Sequence, residues 1–220
     1  MIRKTIPGVC LCLAFVAFAC PSLAAQVPQI VLTQRSPNIQ PANGPEAGLT
    51  KIYSNLGSKT DAYDDGISYQ ISGPSNPLFG KGYLAMPFTP AQNSTVKEVL
   101  IALGYLGGGL NGGTIGLVTD ENGAPGTTPL RTWTASNFPH EGTCCPLVEL
   151  KDAAGIPLEG GTQYWIVAGL SPGTEEGQYQ WNFVWNDATG PLAFLNGNTD
   201  YEWLPYTDNL AAFGVYGTTP

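Results

Sequence analysis

The chain has 220 residues, with 9 basic and 17 acidic side chains and a formal net charge of −8 at pH 7. An acidic surface of this kind repels nucleic acid, so we expect no nucleic-acid partner. Only 12% of the residues are charged, whereas 28 are Gly and 19 are Pro. This composition favours short strands joined by tight turns, and no stretch has the pattern of an amphipathic helix.

Residues 1–24 have the organisation of a cleaved signal peptide. Arg3 and Lys4 provide a positive start, and residues 9–18 form an apolar run that is too short to span a bilayer. In Ser22-Leu23-Ala24 the first and third residues are small, as signal peptidase requires, so we predict cleavage after Ala24. The mature protein is then secreted, periplasmic or located at the cell surface.

Cys20 offers an alternative to this cleavage, because a cysteine at the end of an apolar leader can carry a lipid. Residues 17–19 lack the leucine that usually precedes such a cysteine. Cleavage after Ala24 is therefore the prediction, and lipidation of Cys20 is the alternative. Both imply export from the cytoplasm.

Residues 25–50 are rich in Pro, Gln and Asn, which predicts an extended N-terminal lead-in. Within it, Ile30-Val31-Leu32 is expected to add one strand to the edge of a sheet. Residues 51–220 are expected to form a single domain, since a chain of this length can bury one sizeable core.

In residues 51–220, short apolar or alternating runs are separated by turn clusters. This spacing is typical of a single antiparallel β-sandwich of jelly-roll-like arrangement. The predicted strands are residues 82–88, 95–105, 114–119, 130–135, 147–150, 163–168, 179–185, 192–195, 201–204 and 211–216.

Periodicity and turn chemistry support these strands. Val99, Ile101 and Leu103 occupy alternate positions, so they should share the buried face of one strand. In residues 163–168, Gln163 is followed by a continuous apolar and aromatic run, which predicts a strand buried on both faces. Gly and Asn in residues 107–126 tolerate positive φ and predict hairpin turns.

Five sequence blocks follow one another along this domain: KIYSNLG at 51–57, ISG at 71–73, LAMPFTP at 84–90, TCC at 143–145 and LEGGTQYW at 158–165. Their order and spacing resemble the secreted bacterial choice-of-anchor domains of the R type. The resemblance covers residues 51–216 and implies an extracellular β-sandwich module without catalytic residues to transfer. Such domains often precede a sorting tail, but only four residues without an apolar helix follow here, so we expect no transmembrane anchor.

Cys144 and Cys145 are the only cysteines after the leader. Adjacent residues of a regular strand point to opposite faces, but the prolines around this pair indicate a loop, and export implies oxidising conditions. A vicinal disulfide, two free thiols and an intermolecular bridge all remain open. A metal site of both cysteines with His140 is disfavoured, because structural zinc usually takes ligands from spaced pairs.

No motif points to catalysis. His140 is the single histidine, and no nucleophile elbow accompanies it. Glycosidases need two carboxylates that face one cleft, and no strand presents the glutamates in such a pattern. The glutamates in question are Glu98, Glu149, Glu159, Glu175, Glu176 and Glu202. We therefore predict that the protein is not an enzyme.

The acidic segment at residues 61–66 contains Asp61, Asp64 and Asp65. Calcium takes hard oxygen ligands from loops, so these residues are weak calcium candidates, although their spacing differs from an EF-hand. Solvated carboxylates in a turn are the favoured interpretation. No other cofactor is predicted.

Aromatic residues give the strongest indication of a ligand. In residues 179–185 every second side chain is aromatic, and polar or aliphatic residues lie between them. Sugars stack on such rings while Asn and Gln bond their hydroxyls, although core burial is the more common use of an aromatic row. The ligand-binding candidates are Trp203, Tyr206, Trp181 and Asn182, and the first two are expected to be the most exposed.

We thus expect a non-enzymatic exported module with a structural or binding role at the cell surface, envelope or extracellular matrix. Its partner would be a glycan or a surface or matrix protein. The alternative is a polysaccharide-acting hydrolase of sandwich fold, which would need two carboxylates beside exposed aromatic rings.

Overall fold

The computed structural model describes residues 30–32, 44–58, 61–75, 81–170, 176–196 and 202–220. The predicted leader, residues 1–24, lies outside these ranges. Within them the chain forms strands and no helix. These residues therefore contain no helix that could cross a membrane. The strands are β1 Ile30–Leu32, β2 Thr50–Ser54, β3 Asp64–Ser72, β4 Gly82–Phe88, β5 Ser94–Ile101, β6 Leu103–Gly107, β7 Gly112–Glu121, β8 Ala124–Ser136, β9 Val148–Leu158, β10 Tyr164–Gly169, β11 Gln178–Phe183, β12 Thr189–Asn196, β13 Trp203–Asn209 and β14 Phe213–Thr218.

The strands form two layers. One layer is a six-stranded sheet in the order β13-β12-β4-β10-β7-β8. The other contains two four-stranded sheets, β1-β3-β11-β6 and β2-β14-β5-β9. The paired strands are antiparallel, and from β3 onward the chain crosses repeatedly between the layers. The predicted all-β antiparallel sandwich is confirmed.

The two four-stranded sheets meet at Ala102, which separates β5 from β6. The Ala102 N–H donates to the Ala212 carbonyl at 3.1 Å, and the Asn182 N–H donates to the Ala102 carbonyl at 2.9 Å. The Ala212 N–H completes the junction by donating to the Asn182 carbonyl at 2.8 Å. Residues 95–105, predicted as one strand, are therefore two strands that belong to different sheets.

The main hydrophobic core fills the space between the layers. Val99, Ile101 and Leu103 all belong to it, which confirms the predicted buried face. Trp181 and Phe213 pack edge to face within it, with ring centroids 5.9 Å apart. Removal of such side chains from water is the largest favourable contribution to folding.

Strand β10 is buried on both faces, as predicted. Tyr164 and Ile166 point into the main core. Trp165 and Val167 point to the opposite face of the six-stranded sheet, where a smaller cluster forms. We call this second surface the outer face, and the cluster consists of Ala85, Val118, Trp165 and Ala193 with Val167 and Trp203 against it.

Two strands, β2 and β3, were not predicted. The predicted turn at residues 61–66 is wrong from Asp64 onward, because β3 begins there and continues to Ser72. Polar and apolar residues alternate in the second half of β3, which is the pattern of a strand. The predicted edge strand at Ile30–Leu32 is confirmed, since it pairs with β3 at the edge of its sheet.

The turn between β7 and β8 follows the predicted chemistry. Asn122 and Gly123 have φ of 58° and 82°, and they lie between Glu121 and Ala124 at the ends of the two strands. Positive φ at both central residues suits the right-handed twist of a hairpin. The Asp120 carboxylate accepts a hydrogen bond from the Gly123 N–H at 3.0 Å and so stabilises the turn.

Candidate functional site

Trp203 and Tyr206 lie on opposite faces of β13. Trp203 is opposite Leu195 on β12 and packs against the outer-face cluster. Tyr206 is opposite Leu192 and packs against the main core. Both rings are partly buried. Since side chains three positions apart on a strand point to opposite faces, these two rings cannot form one ligand platform.

Trp181 and Asn182 are buried, so their prediction as ligand-binding residues needs correction. Trp181 is 0% exposed, and its indole N–H donates to the Ala212 carbonyl at 2.9 Å. Asn182 is 2% exposed, and its side-chain amide donates to the Ala102 carbonyl at 3.2 Å. Trp181 fills the core and Asn182 secures the junction between two sheets, so a ligand in solution does not reach them.

The polar side chains beside Trp181 are also bonded within the protein. Ser68 Oγ donates to Gln180 Oε1 at 3.0 Å, and Gln180 Nε2 donates to Asn182 Oδ1 at 2.8 Å. All three residues are buried. Such a chain of hydrogen bonds satisfies buried polar groups that would otherwise destabilise the fold.

Asp61, Asp64 and Asp65 do not converge into a calcium site. Asp61 Oδ2 lies 3.4 Å from Ser58 Oγ, and Asp64 Oδ1 accepts the Gly66 N–H at 2.8 Å. Asp65 is buried at the start of β3. Among the described residues, no group of three or more His, Cys, Asp or Glu side chains is arranged to hold a metal ion.

Cys144 and Cys145 are joined in a vicinal disulfide, and the peptide bond between them is cis. Both are buried, in a small core with Tyr63. The Tyr63 hydroxyl lies 3.0 Å from the Thr143 carbonyl and 3.1 Å from the Pro146 carbonyl, one on each side of the pair. Burial, together with the nearby charge of Asp65, raises the pKa of Tyr63, so its proton remains available for these bonds.

His140 lies on the surface beside Tyr105, with ring centroids 5.6 Å apart in an edge-to-face arrangement. The adjacent main chain is bonded to β6, because the Tyr105 N–H donates to the Pro139 carbonyl at 2.7 Å. His140 is therefore an exposed loop residue, as its sequence context indicated.

Asp120 supports the outer face. Its Oδ1 accepts hydrogen bonds from the Trp165 indole at 2.7 Å and from the Gln163 amide at 2.6 Å. Burial by itself would raise the pKa of Asp120, but these bonds and the one from Gly123 outweigh it and lower the pKa. The ionised carboxylate thus satisfies the only polar atom of the buried Trp165 side chain.

A cleft that sequence reasoning missed lies at one end of the sandwich. It has a volume of about 750 Å³ and is lined by the beginnings of β5 and β10 and the ends of β9 and β14. Hydroxyl groups predominate among its polar side chains, and Leu130 is an exposed apolar residue beside them. We call it the hydroxyl cleft, defined by Ser94, Thr95, Leu130, Glu159, Thr162 and Tyr164.

The turn between β9 and β10 holds one wall of the hydroxyl cleft. The Glu159 N–H donates to the Tyr164 hydroxyl and the Gly160 N–H to Asn93 Oδ1, both at 2.9 Å. The Gly161 N–H donates to the Pro90 carbonyl at 2.8 Å. Three consecutive amides are therefore anchored, which fixes the backbone that carries Glu159.

Glu159 is the only Asp, Glu, Lys, Arg or His among the described residues that line the hydroxyl cleft. Two acidic side chains elsewhere have structural partners: Asp152 pairs with Arg131 at 2.8 Å, and Glu98 Oε2 accepts the Glu46 N–H at 2.9 Å. In the described part of the cleft, one acidic side chain therefore stands among neutral hydroxyl groups.

The hydroxyl cleft could not be recognised as a site from its residue types. Gly and Thr in residues 159–163 are typical turn residues, and the remaining hydroxyls of the cleft come from other parts of the sequence. The one local signal was the turn before the buried strand β10, which places polar side chains at a strand end. No family model, no curated protein and no solved structure matches this chain.

Proposed function

We propose that this protein is an exported, non-enzymatic β-sandwich module that binds glycans in the hydroxyl cleft, at the cell surface, in the envelope or in the extracellular matrix. The observation that carries the proposal is the lining of this cleft, where side-chain hydroxyls surround a single acidic side chain. Sugars present many hydrogen-bond donors and acceptors together with apolar C–H faces. Hydroxyl groups can act as either donor or acceptor and therefore suit such ligands.

Apolar contacts in the cleft support the same class of ligand. Leu130 is 43% exposed, and the Tyr164 ring forms part of the lining. Binding sites typically combine apolar surface with a few positioned polar groups. A sugar ring can contact Leu130 through its C–H groups while its hydroxyls bond to Thr95 and Thr162.

The proposed export rests on the leader-like residues 1–24. The resemblance of the sequence blocks to R-type choice-of-anchor domains supports an extracellular role. The acidic net charge of −8 is compatible with a protein that remains soluble outside the cytoplasm. A partner protein of the surface or matrix would be an additional binding partner of the same module.

A polysaccharide hydrolase is the competing proposal. Glycosidases use two carboxyl groups on either side of the scissile bond, about 5 to 10 Å apart. In the described lining of the hydroxyl cleft, Glu159 is not accompanied by a second Asp or Glu side chain. The cleft therefore favours binding over hydrolysis.

A glycan array tests this proposal, with the purified exported protein compared with two variants. We expect wild type to bind a defined set of glycans, Thr162→Val to bind them more weakly, and Trp203→Ala to bind them as wild type does. Thr162→Val keeps the side-chain shape and removes only the hydroxyl. Loss of binding in Trp203→Ala alone would place the site on the outer face, and a blank array would contradict glycan binding.

A further inference from the structure

The hydroxyl cleft has a charge property that goes beyond general glycan binding. Its described lining contains one acidic side chain, that of Glu159, and no basic side chain. We propose that the cleft prefers glycans with free amino groups, that is, amino sugars, over neutral sugars and over sugar acids. This inference rests on the proposed function, because it specifies the class of glycan.

Glu159 is available to a ligand. It is exposed, and it forms no ion pair with any residue in the described ranges. An ammonium group on a sugar can therefore pair with Glu159 without displacing a cation of the protein. A uronic acid in the same place would meet the carboxylate with a charge of the same sign, which disfavours its binding.

The position of Glu159 is fixed by its neighbours. Its own N–H and those of Gly160 and Gly161 are bonded to Tyr164, Asn93 and Pro90 across the turn. Little backbone freedom is then lost when a ligand binds, and preorganisation of this kind increases affinity. The backbone that carries the Glu159 side chain is consequently anchored at the cleft.

Neutral donors and acceptors complete the site. The Tyr164 hydroxyl accepts the Glu159 N–H, and its own hydrogen has no acceptor among the described residues. The Thr95 and Thr162 side-chain hydroxyls likewise form no hydrogen bond within those ranges. Tyr164 is 5% exposed, so its O–H forms part of the cleft floor. A ligand hydroxyl or ring oxygen can accept from Tyr164 while a neighbouring amine pairs with Glu159.

The expected preference is modest. An exposed ion pair contributes up to about 1 kcal/mol, which corresponds to about fivefold in affinity. Salt screens such pairs, so the preference should shrink as ionic strength rises. Neutral sugars and amino sugars can form the same hydrogen bonds with the hydroxyl groups of the cleft. These bonds therefore contribute equally to the affinity for both.

Isothermal titration calorimetry of the purified exported protein tests the inference with three probes. The probes are a glucosamine tetrasaccharide, its fully N-acetylated counterpart and an oligogalacturonate. For wild type we expect the glucosamine probe to bind about three- to fivefold more tightly than the acetylated probe, and the galacturonate to bind most weakly. In Glu159→Gln, the two glucosamine-based probes should bind equally, with the affinity for the acetylated probe unchanged.

Glu141→Gln is the matched control, because Glu141 is an exposed glutamate in the loop between β8 and β9 that does not line the cleft. It changes the net charge equally and should leave the preference intact. Equal loss of preference in both variants would assign it to the overall charge and overturn the inference. If wild type binds the acetylated probe at least as well as the amine, the amino-sugar preference is wrong while glycan binding stands. If no probe binds and the glycan array is also blank, both proposals fail.

Discussion

Strand β11 and the hydroxyl cleft use polar side chains in opposite ways. On β11, Gln180 and Asn182 bond to each other, and both are buried. In the cleft, the Thr95 and Thr162 hydroxyls have no hydrogen-bond partner among the described residues. A polar group already satisfied inside the fold stabilises it, whereas one left without a protein partner at a concave surface is available to a ligand.

The aromatic residues of the two regions differ in the same respect. Tyr179 and Trp181 on β11 bond through their polar atoms to the carbonyls of Gly169 and Ala212. Among the residues that the structure describes, the Tyr164 hydroxyl in the cleft only accepts a hydrogen bond, and its own hydrogen has no acceptor there. An aromatic row alone is therefore a weaker indicator of binding than the hydrogen-bonding state of each ring.

The largest expected effect on stability concerns the buried side chains of β11. Trp181→Ala removes a fully buried side chain and leaves a cavity in the main core. Truncation of a buried Trp typically costs about 3 to 5 kcal/mol. We expect a loss of this size in the free energy of urea-induced unfolding. A loss below about 1 kcal/mol would contradict the packing role given to Trp181.

The next effect concerns Asp120 on the outer face. Asp120→Ala leaves the buried indole N–H of Trp165 without its acceptor. An unsatisfied buried donor costs about 1 to 3 kcal/mol, which urea unfolding at neutral pH would measure. Asp120→Asn is the matched control, because its amide oxygen can still accept the bond, and it should cost less than Asp120→Ala.

The lowered pKa of Asp120 adds a pH dependence. A carboxyl whose pKa is depressed in the folded state stabilises the fold fully above the usual aspartate pKa. This contribution disappears as the pH falls through the lower folded-state pKa. The free energy of unfolding of wild type should therefore decrease as the pH falls through this range. That of Asp120→Asn should decrease less. Identical pH profiles would contradict the role of the ionised carboxylate.

A smaller effect on stability is expected in the loop that contains the Cys144–Cys145 disulfide. Tyr63→Phe keeps the buried ring but removes the hydroxyl that lies near the Thr143 and Pro146 carbonyls. The loss of such a hydrogen bond costs about 1 kcal/mol, measurable as a shift of the thermal unfolding midpoint. Since this loop is remote from the hydroxyl cleft in the sequence and does not line it, ligand affinity should be unchanged.

Thr162→Val is expected to have the smallest effect on stability but a direct effect on the affinity for a glycan. Thr162 is exposed and forms no side-chain hydrogen bond with the described residues. Unfolding free energy should therefore change by less than about 0.5 kcal/mol. The affinity for a bound glycan should fall by about two- to tenfold, as for the loss of one hydrogen bond. A large loss of stability would show that the hydroxyl has a structural role instead.

Much of the fold could be predicted from local patterns. Gly82–Phe88 was predicted with its observed bounds, and the buried face of Val99, Ile101 and Leu103 followed from alternation. Strand β3 was not predicted. Asp64 and Asp65 at its start have the composition of a turn, but tertiary packing places Asp65 in a buried strand.

The candidate site was less predictable than the fold. Trp181 and Asn182 are neighbours on β11 and point to opposite faces, and both are buried because β11 is covered on both sides by the tertiary packing. The partial burial of Trp203 and Tyr206 likewise depends on the clusters that each ring meets on its own side of β13. The hydroxyl cleft brings together residues from positions 93–95 and 158–164. No local pattern links such distant segments, so only the three-dimensional arrangement identifies the cleft.

Amide chemical-shift mapping is the most direct test that glycans bind in the hydroxyl cleft. The isotopically labelled protein would be titrated with the acetylated tetrasaccharide. Binding in the cleft predicts that the largest shifts fall on residues 93–95 and 158–164, with little change around Trp203. Shifts that centre on Trp203 and the outer face, or no shifts at saturating sugar, would contradict it.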